Sequence, residues 1–308
     1  MRRLVPWFIS IPAAALLVIS LPAVQTAFIP MPGEMQRLVA ESRQKPPAEP
    51  VVFSDVVYRR SVFARLKLDI YEPLVPFTRG EAPVVVFFHG GSWIHGDRVT
   101  ILVVDRFLRR MREAGYFVIP VDYTTTILRG LQGPLDNVES AIRWIAANAG
   151  EYGYDRNNLG LYGVSAGGHL ALMAASTMPH PDFTFAFVFA ECAPSDLVAL
   201  RSGEAFEHSA SLAVFPERRL AQLSPVNFVS PQLPPVLLFH GGADQVVDVR
   251  QSERYARVVA DAGIHVEYVR YENGDHGFLN LPDDTWYEQE TRALVFFHEQ
   301  FTRRTPSD

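Results

Sequence analysis

A serine stands at the centre of residues 163–167, which read Gly-Val-Ser-Ala-Gly. An apolar segment ending at Tyr162 comes before it and an alanine-rich segment with helical spacing comes after it. This pattern predicts a strand, a sharp turn and a helix. The flanking glycines let strand and helix approach closely, and the helix N-terminus next to Ser165 favours developing negative charge. The context predicts a nucleophilic serine rather than a glycine-rich packing turn.

A second glycine-rich segment, residues 89–93 (His-Gly-Gly-Ser-Trp), follows the apolar run 84–88 (Val-Val-Val-Phe-Phe). A loop of small residues at the end of a buried strand can direct backbone N–H groups at an acyl oxygen. A phosphate-binding loop would continue with Lys and then Ser or Thr, and this segment does not. We therefore expect a loop that binds an oxyanion, with His89 ordering the loop rather than reacting.

A nucleophilic serine requires a basic histidine, and that histidine requires a carboxylate that orients it. Among nine histidines, His276 lies in a glycine-flanked segment after the last predicted strand. Asp244 follows an apolar strand at the sheet edge where α/β proteins hold their sites. Asp248 is the alternative acid, although it stands where the next helix should begin and is suited to capping it. Structural roles are expected for His169 and His240.

Alternating strand and helix patterns surround these motifs from residue 51 to residue 302. An antiparallel hairpin is predicted over 51–58 and 65–71, where apolar and polar residues alternate. Further strands are predicted at 84–88, 116–121, 159–162, 183–190, 236–239 and 265–271. Helices are predicted at 100–114, 136–149, 166–176, 248–262 and 286–301.

The order of these elements predicts an α/β fold, with a mostly parallel central sheet and helices on both of its faces. Residues 191–234 interrupt the alternation with a long, irregular stretch that contains several prolines. A segment of this length inside an α/β domain is often functional, so it is expected to be a lid or small cap.

The composition excludes several classes of protein. With 48% hydrophobic and 20% charged residues, the 308-residue chain is not a largely disordered one. Its net charge of −6 and the lack of a long basic cluster argue against a nucleic-acid partner. Cys192 is the single cysteine, which excludes an intrachain disulfide and a thiolate zinc cluster. No metal or organic cofactor is expected.

The N-terminal residues differ from the rest of the chain. Arg2 and Arg3 precede an uncharged, mostly apolar segment, 4–33, whose length suits one crossing of a bilayer. We expect residues 1–33 to be a signal peptide or a membrane anchor. The body would then be exported, either anchored on the outer face of the membrane or periplasmic or secreted. Residues 34–50 are expected to form a proline-rich linker, and 303–308 a tail.

Taken together, these motifs resemble the α/β-hydrolase superfamily. The resemblance is greatest to the esterase/lipase branch that includes hormone-sensitive-lipase-like and feruloyl-esterase-like carboxylesterases. It covers roughly residues 51–302 and depends on HGGSW, GVSAGGHLA, HGGAD and GDHGF, which occur in the order of the family. It implies that Ser165 is the nucleophile, Asp244 the acid and His276 the base. It further implies oxyanion-hole N–H groups from Gly91, Ser92 and Ala166.

The expected activity is hydrolysis of a carboxylic ester through an acyl-enzyme on Ser165. The substrate would be a small-molecule ester, or one linked to a lipid or polymer. Membrane contact is expected only if the N-terminal segment is not cleaved. The H-G-G-x-W form of the loop, in which Ser92 replaces a third glycine, resembles kynurenine formamidases and isoprenylcysteine methylesterases. An amide-cleaving enzyme, arylformamidase-like or an aminopeptidase, is therefore one alternative.

A catalytically silent binding protein on the same fold is an alternative from another class, although such proteins usually lack a member of the triad. Trp93 and Phe278 each stand beside a predicted catalytic element. We expect them either to line a substrate pocket or to pack in the core.

Overall fold

Eight β-strands form one sheet in a computed structural model that describes residues 53–303, except 61–63, 125–129, 179, 203–211 and 213. Along the chain they are β1 (Phe53–Arg60), β2 (Arg65–Ile70), β3 (Ala82–Phe88), β4 (Phe117–Val121), β5 (Tyr154–Val164), β6 (Phe185–Glu191), β7 (Val236–Gly241) and β8 (Val266–Tyr271). Their order across the sheet is β1-β2-β4-β3-β5-β6-β7-β8. The pairs β1–β2 and β2–β4 are antiparallel, and the remaining neighbours are parallel. The predicted α/β fold, with its mostly parallel sheet led by a hairpin, is therefore confirmed.

Helices connect the strands. In the described residues they are α1 (Asp105–Glu113), α2 (Gln132–Ala147), α3 (Ala149–Tyr152), α4 (Ala166–Thr177), α5 (Leu197–Ser202), α6 (Glu217–Ala221), α7 (Arg250–Asp261) and α8 (Asp283–Arg303). Two 3₁₀ helices, Arg98–Val104 and Pro225–Asn227, supplement them. None of the described helices is both long and apolar enough to cross a bilayer.

The sheet separates two hydrophobic clusters. Alternate residues of β3 point to opposite faces, with Val84 and Val86 in one cluster and Val85 and Phe87 in the other. Helices α2, α4 and α7 contribute buried residues to the first cluster, and α1 and α8 contribute to the second. Both faces of the central strands are covered, which explains why these strands read as continuous apolar runs.

The largest differences from the predicted boundaries concern three elements. The helix predicted at 100–114 is a 3₁₀ helix, Arg98–Val104, followed by α1. Strand β5 begins at Tyr154 rather than Leu159, because Tyr154 pairs with Ala82, although residues 155–157 are half-buried or exposed. Helix α2 begins at Gln132, four residues early, because Pro134 falls within its first turn, where a missing N–H costs nothing.

The insertion at 191–234 contains helical segments attached to the body. Its helix α5 is capped by Asp196, whose carboxylate accepts the N–H groups of Val198 and Ala199. The Gln251 side chain of α7 accepts the N–H groups of Ser195 and Asp196. Residues 203–211 and 213 of the insertion lie outside the described residues, and its role as a lid or cap stays a prediction.

The predictions for the chain ends also fall outside what the structure describes. This applies to residues 1–33, predicted to be a signal peptide or anchor, and to the linker 34–50. It applies as well to the tail after Arg303, the last residue of α8.

Candidate active site

Ser165 stands on a sharp turn between β5 and α4. Its φ of 55° and ψ of −119° are unusual for a residue with a side chain, and such conformations cluster at functional sites. Its N–H donates to the Glu191 carbonyl at the end of β6, over 2.7 Å. The turn is possible only with glycines around it. A Cβ on Gly167 would lie 2.0 Å from the Phe88 carbonyl oxygen, and one on Gly163 would lie 2.3 Å from the Gly167 carbonyl.

The structure brings His276 and Asp244 to this serine. The Nε2 atom of His276 is 2.9 Å from Ser165 Oγ, and its Nδ1 atom is 2.7 Å from Asp244 Oδ2. Since a carboxylate only accepts, the proton lies on Nδ1, and Nε2 can accept the serine hydroxyl. Ser165 is 111 positions from His276 along the chain, and Asp244 is 32 positions from it, so the three residues meet only because the sheet folds.

The Asp244 carboxylate is held as an anion. Its Oδ1 accepts the N–H groups of Val246 and Val247 at 2.8 and 2.9 Å, and only 7% of the residue is exposed. Burial alone raises the pKa of Asp244, but the adjacent His276 and His240 rings outweigh it and keep the pKa well below its ordinary value. A permanently ionised acid can orient His276 throughout a reaction.

The alternative acid, Asp248, points elsewhere. Its carboxylate accepts the backbone N–H of Arg250 at 2.9 Å and pairs with the same guanidinium. It stands one residue before Val249, the N-cap of α7. The location of Asp248 is thus close to the capping position expected from the sequence.

His240 is a neighbour of the site that the sequence interpretation treated only as structural. It is fully buried, with Nε2 at 3.3 Å from Asp244 Oδ2 and 2.8 Å from the Val247 carbonyl. Since both partners only accept, Nε2 carries a proton, and Nδ1 bonds the Ser252 hydroxyl at 2.7 Å. His240 therefore places a second imidazole N–H group near the Asp244 carboxylate, in addition to that of His276. The signal available in the sequence was its place four residues before Asp244.

The loop 89–93 runs against the nucleophile turn. A Cβ on Gly90 would lie 3.5 Å from Ser165 Cβ. Gly91, Ser92 and Trp93 all have positive φ values, 117°, 53° and 61°. The Gly91 carbonyl accepts the N–H groups of two later residues, Ile94 and His95, which closes the loop.

Three backbone N–H groups in the loop 89–93 and at the start of α4 have no acceptor among the described hydrogen bonds. Among the described hydrogen bonds, none uses the N–H of Gly91, Ser92 or Ala166 as donor. Ala166 is the first residue of α4, where the N–H groups lack partners within the helix and attract anions. These are the three groups that the family resemblance assigns to an oxyanion hole, and that role stays a prediction.

His89 orders the loop, as expected. It is fully buried, its Nδ1 lies 2.7 Å from the Gly90 carbonyl, and its ring stacks on Tyr123 at 4.0 Å. The Tyr123 hydroxyl donates to the His89 carbonyl at 2.6 Å. Burial lowers the pKa of His89 to about 4, so the ring is neutral at ordinary pH. Five residues after the loop, Arg98 binds the Asp122 carboxylate through its backbone N–H and its guanidinium.

Trp93 and Phe278 pack in the core of this structure, so of the two roles expected for them it shows core packing and not the lining of a substrate pocket. Trp93 is 6% exposed, and its indole N–H is bonded to His169. Phe278 is 1% exposed and contacts the rings of Tyr271 and Trp286 edge-on. Both residues have positive φ values, 61° for Trp93 and 62° for Phe278.

The candidate ligands among the described residues do not fit a resident metal ion. In the described part of the chain, Cys192, Asp244 and His276 are the one group of three potential ligands, with ligand atoms within 4.8 Å of one another. Burial, together with the Asp244 charge, raises the pKa of the Cys192 thiol well above its ordinary value. A protonated thiol is a poor ligand, and the other two side chains bond each other.

Comparisons with known proteins agree with this geometry. The BD-FAE family model matches residues 68–258 of the chain. Esterase LipC of Mycobacterium tuberculosis is 28% identical over 241 residues, which are 72% of this chain and 59% of LipC. Esterase LipQ of the same organism is 28% identical over 231 residues, 68% of this chain and 54% of LipQ.

The chain therefore spans little more than half the length of these two relatives. A solved structure, a truncated form of carbohydrate esterase from gut microbiota, superposes with a TM-score of 0.70 at 23% identity. The superposition covers 84% of this chain and 99% of that one. At this identity the likeness shows a common fold.

Proposed function

The chain belongs to the BD-FAE family of α/β-hydrolases, and on this premise we propose that it hydrolyses carboxylic esters through an acyl-enzyme on Ser165. The observation that carries the proposal is the hydrogen-bonded series Ser165 Oγ, His276 Nε2 and Nδ1, Asp244 Oδ2, with distances of 2.9 and 2.7 Å. The similarity to esterases LipC and LipQ supports the same reaction class.

In the acylation step, His276 Nε2 takes the proton of the Ser165 hydroxyl while Oγ bonds the acyl carbon. The carbonyl oxygen becomes an oxyanion, which the N–H groups of Gly91, Ser92 and Ala166 stabilise. The protonated His276 remains beside Asp244, whose charge offsets its own. It then gives the proton to the leaving alkoxide, the ester bond breaks, and the alcohol departs.

Deacylation repeats these steps with water as the nucleophile. His276 takes one proton from water, the hydroxide oxygen bonds the acyl carbon, and the same N–H groups hold the second oxyanion. Return of the proton to Ser165 Oγ breaks the acyl-enzyme bond and releases the carboxylic acid. The reaction needs only the substrate, water and these side chains.

A serine-specific experiment tests the proposal. With p-nitrophenyl acetate or butyrate as substrate, Ser165→Ala should lower kcat by up to about 10⁶-fold, the loss that removal of the serine causes in subtilisin. Ser176→Ala is a matched control, because this serine of α4 donates to the Leu172 carbonyl and is not part of the Ser165, His276 and Asp244 series. A fluorophosphonate should label Ser165, as located by peptide mass spectrometry. A labelled Ser176, or a tenth of the activity left in Ser165→Ala, would exclude the assignment.

The choice between ester and amide needs its own comparison. The H-G-G-x-W form of the loop is the feature that the chain has in common with formamidases. Parallel rates on short p-nitrophenyl esters, sugar acetates and N-formylkynurenine separate the two, and kcat/KM should be highest for an ester. A higher value for N-formylkynurenine would assign the chain to amide hydrolysis. No turnover of any of them, together with no fluorophosphonate labelling, would instead point to a silent binding protein.

We further propose that residues 1–33 export the protein or anchor it to a membrane, which would bring a lipid-linked or polymer-linked ester within reach. The support is the uncharged segment 4–33 behind Arg2 and Arg3. Deletion of 1–33 should leave a soluble enzyme of full kcat, because the site residues lie at 89–278. Deletion of 1–50 should change KM if residues 34–50 reach the site.

Fractionation of cells that make the full chain tests its localisation. Recovery in the membrane pellet at full length indicates an anchor, and a shortened form in the periplasm or medium indicates a signal peptide. A full-length chain in the cytosolic fraction would contradict both. Insoluble, inactive protein after deletion of 1–33 would show that the apolar segment belongs to the folded body.

A further inference from the structure

Three elements meet at the side chain of His169. This residue lies one turn into α4, and its backbone N–H donates to the Ser165 carbonyl at 3.0 Å. Its ring is fully buried and contacts the Trp93 indole edge-on, with ring centres 5.1 Å apart. On its other side is Leu223, which follows α6 in the insertion 191–234. The ring thus joins the nucleophile helix, the loop 89–93 and the insertion.

The two ring nitrogens of His169 have different partners. The Trp93 indole N–H donates to Nδ1 at 3.1 Å, and an indole nitrogen can only donate. Nδ1 therefore carries no proton. The Leu223 carbonyl, 2.7 Å from Nε2, can only accept, so Nε2 carries the proton. Burial lowers the pKa of His169 to about 4, which is consistent with a neutral ring in the Nε2–H tautomer.

The bond to Trp93 matters because the loop is strained. Ser92 and Trp93 both have φ values above 50°, which cost free energy for residues with side chains. Such a conformation persists only where neighbouring contacts over-determine it. The Trp93 side chain is one anchor, because its ring is buried and its N–H has a fixed acceptor.

We infer that His169 is a positioning residue, which holds the loop 89–93 in its strained conformation through Trp93 and links that loop to the insertion through the Leu223 carbonyl. The inference depends on the proposed function, because the N–H groups so positioned are those of Gly91 and Ser92. His169 touches no reacting atom. Its effect on catalysis passes through the backbone of the loop.

Two substitutions separate the two bonds. In His169→Asn, the amide oxygen takes the place of Nδ1 and can accept from Trp93, but nothing reaches Leu223. In His169→Gln, the longer amide places a donor near the position of Nε2 and can bond Leu223, but nothing accepts from Trp93. A buried donor left without a partner, such as the Trp93 indole N–H in His169→Gln, disfavours the conformation that buries it by a factor of roughly 10 to 100.

We therefore expect His169→Gln to have a kcat on short p-nitrophenyl esters about 10- to 100-fold below that of His169→Asn. KM should differ by less than about threefold between the two, and their Tm values should be similar. His265→Gln, at an exposed histidine away from the site, is the control for histidine replacement. Equal kcat values in the two variants, or losses that follow Tm alone, would reduce His169 to a packing residue and overturn the inference.

A double-mutant cycle with Trp93→Phe tests the path of the effect. If His169 acts through the indole N–H, Trp93→Phe should lower kcat, and adding His169→Gln should lower it by less than the product of the two losses. Fully multiplicative losses would show that the two residues act separately.

The tautomer of His169 can be measured without any activity. In the ¹⁵N-labelled wild-type protein at pH 7, long-range ¹H–¹⁵N correlations should show a protonated Nε2 and an unprotonated Nδ1, with the signals assigned from their loss in His169→Asn. A protonated Nδ1 would contradict the Trp93 bond. A wild-type protein with the expected tautomer but no ester hydrolysis would refute the proposed function and leave this contact intact.

Discussion

Replacement of Asp244 by Asn tests the link between the geometry of the site and its chemistry. The amide has nearly the size of the carboxylate, and its oxygen can still accept the N–H groups of Val246 and Val247. Its NH₂ group, however, would face His276 Nδ1, which now donates across 2.7 Å. Two donors cannot bond each other, so the imidazole must move its proton to Nε2.

This change removes the base. With the proton on Nε2, His276 presents a donor to Ser165 Oγ and cannot accept the hydroxyl proton. The same substitution in an unrelated Ser-His-Asp enzyme costs about 10⁴-fold in kcat. At 1.36 kcal/mol for each factor of ten, that is a loss of about 5 kcal/mol of transition-state stabilisation. We expect a similar loss here, with little change in KM.

Asp248→Asn is the matched control, four residues away on the same loop. The Asp248 carboxylate is partly exposed and pairs with Arg250, whose guanidinium holds its pKa below the ordinary value. Exposed pairs of this kind contribute about 0–1 kcal/mol to stability. Because the Asp248 carboxylate bonds Arg250 and not His276, kcat should fall by about tenfold or less.

Both variants are assayed by their initial rates of p-nitrophenyl ester hydrolysis near pH 8. The rates are divided by the concentration of enzyme, measured by fluorophosphonate titration or as folded protein. Thermal unfolding shows whether each is folded. Because the folded pKa of Asp244 lies below the unfolded one, its charge stabilises the fold above about pH 4 and less so as pH falls. We therefore expect Asp244→Asn to have a lower Tm than the wild type at pH 7, and this difference in Tm should become smaller toward pH 3. The reasoning fails if Asp248→Asn proves the costlier change, or if Asp244→Asn keeps a hundredth of the wild-type kcat.

Three further predictions concern the residues around the site. Gly167→Ala should lower the free energy of unfolding by about 1–3 kcal/mol or more, because its Cβ would lie 2.0 Å from the Phe88 carbonyl oxygen. Gly150→Ala is the control, because a Cβ there would have no atom within 4 Å. Equal Tm values for the two variants would contradict this prediction. Burial raises the pKa of Glu191 to about 7, above an unfolded value of about 4.3. Since the folded protein then binds the proton more tightly, the free energy of unfolding should fall by on the order of 3 kcal/mol as the pH rises from the unfolded pKa through the folded one. Glu191→Gln should flatten this slope in urea titrations at pH 5 and 8, and an unchanged slope would contradict it. Cys192, fully buried with a raised pKa, should resist iodoacetamide at pH 8 until the protein unfolds, as mass spectrometry would report.

The local parts of the fold could be predicted from the sequence because their causes are local. The run 84–88 is apolar at every position, and only a strand covered on both faces places all five residues away from water, as β3 does. The glycines of 163–167 implied a sharp turn, and the close contact of Gly167 with the Phe88 carbonyl is the reason for them. The boundaries of β5 were less predictable, because its first residues are polar and are held by pairing with β3.

The contacts of buried polar side chains could not be predicted in the same way. His169 and His240 both looked like structural histidines, and nothing local distinguishes a ring that joins three elements from one that fills space. Trp93, the partner of His169, comes from a distant segment of the chain. Asp244, the partner of His240, comes from the following loop, whose path depends on neighbouring strands. Trp93 looked equally suited to a pocket and to the core, and its burial against His169, on another element, became visible only in the structure.

The sequence by itself determined the chemical groups of the site and the order of the elements that carry them. Ser165, Asp244 and His276 could be named because each follows a strand at the same sheet edge, which is a property of chain order. Only the tertiary structure decided between Asp244 and Asp248, because both side chains come from one short loop and differ in direction rather than in type. Val246 and Val247 bind one oxygen of Asp244, and this turns the other oxygen to His276, whereas Arg250 holds Asp248 away. That difference depends on distances of a few ångströms between segments, and no pattern along a single chain contains it.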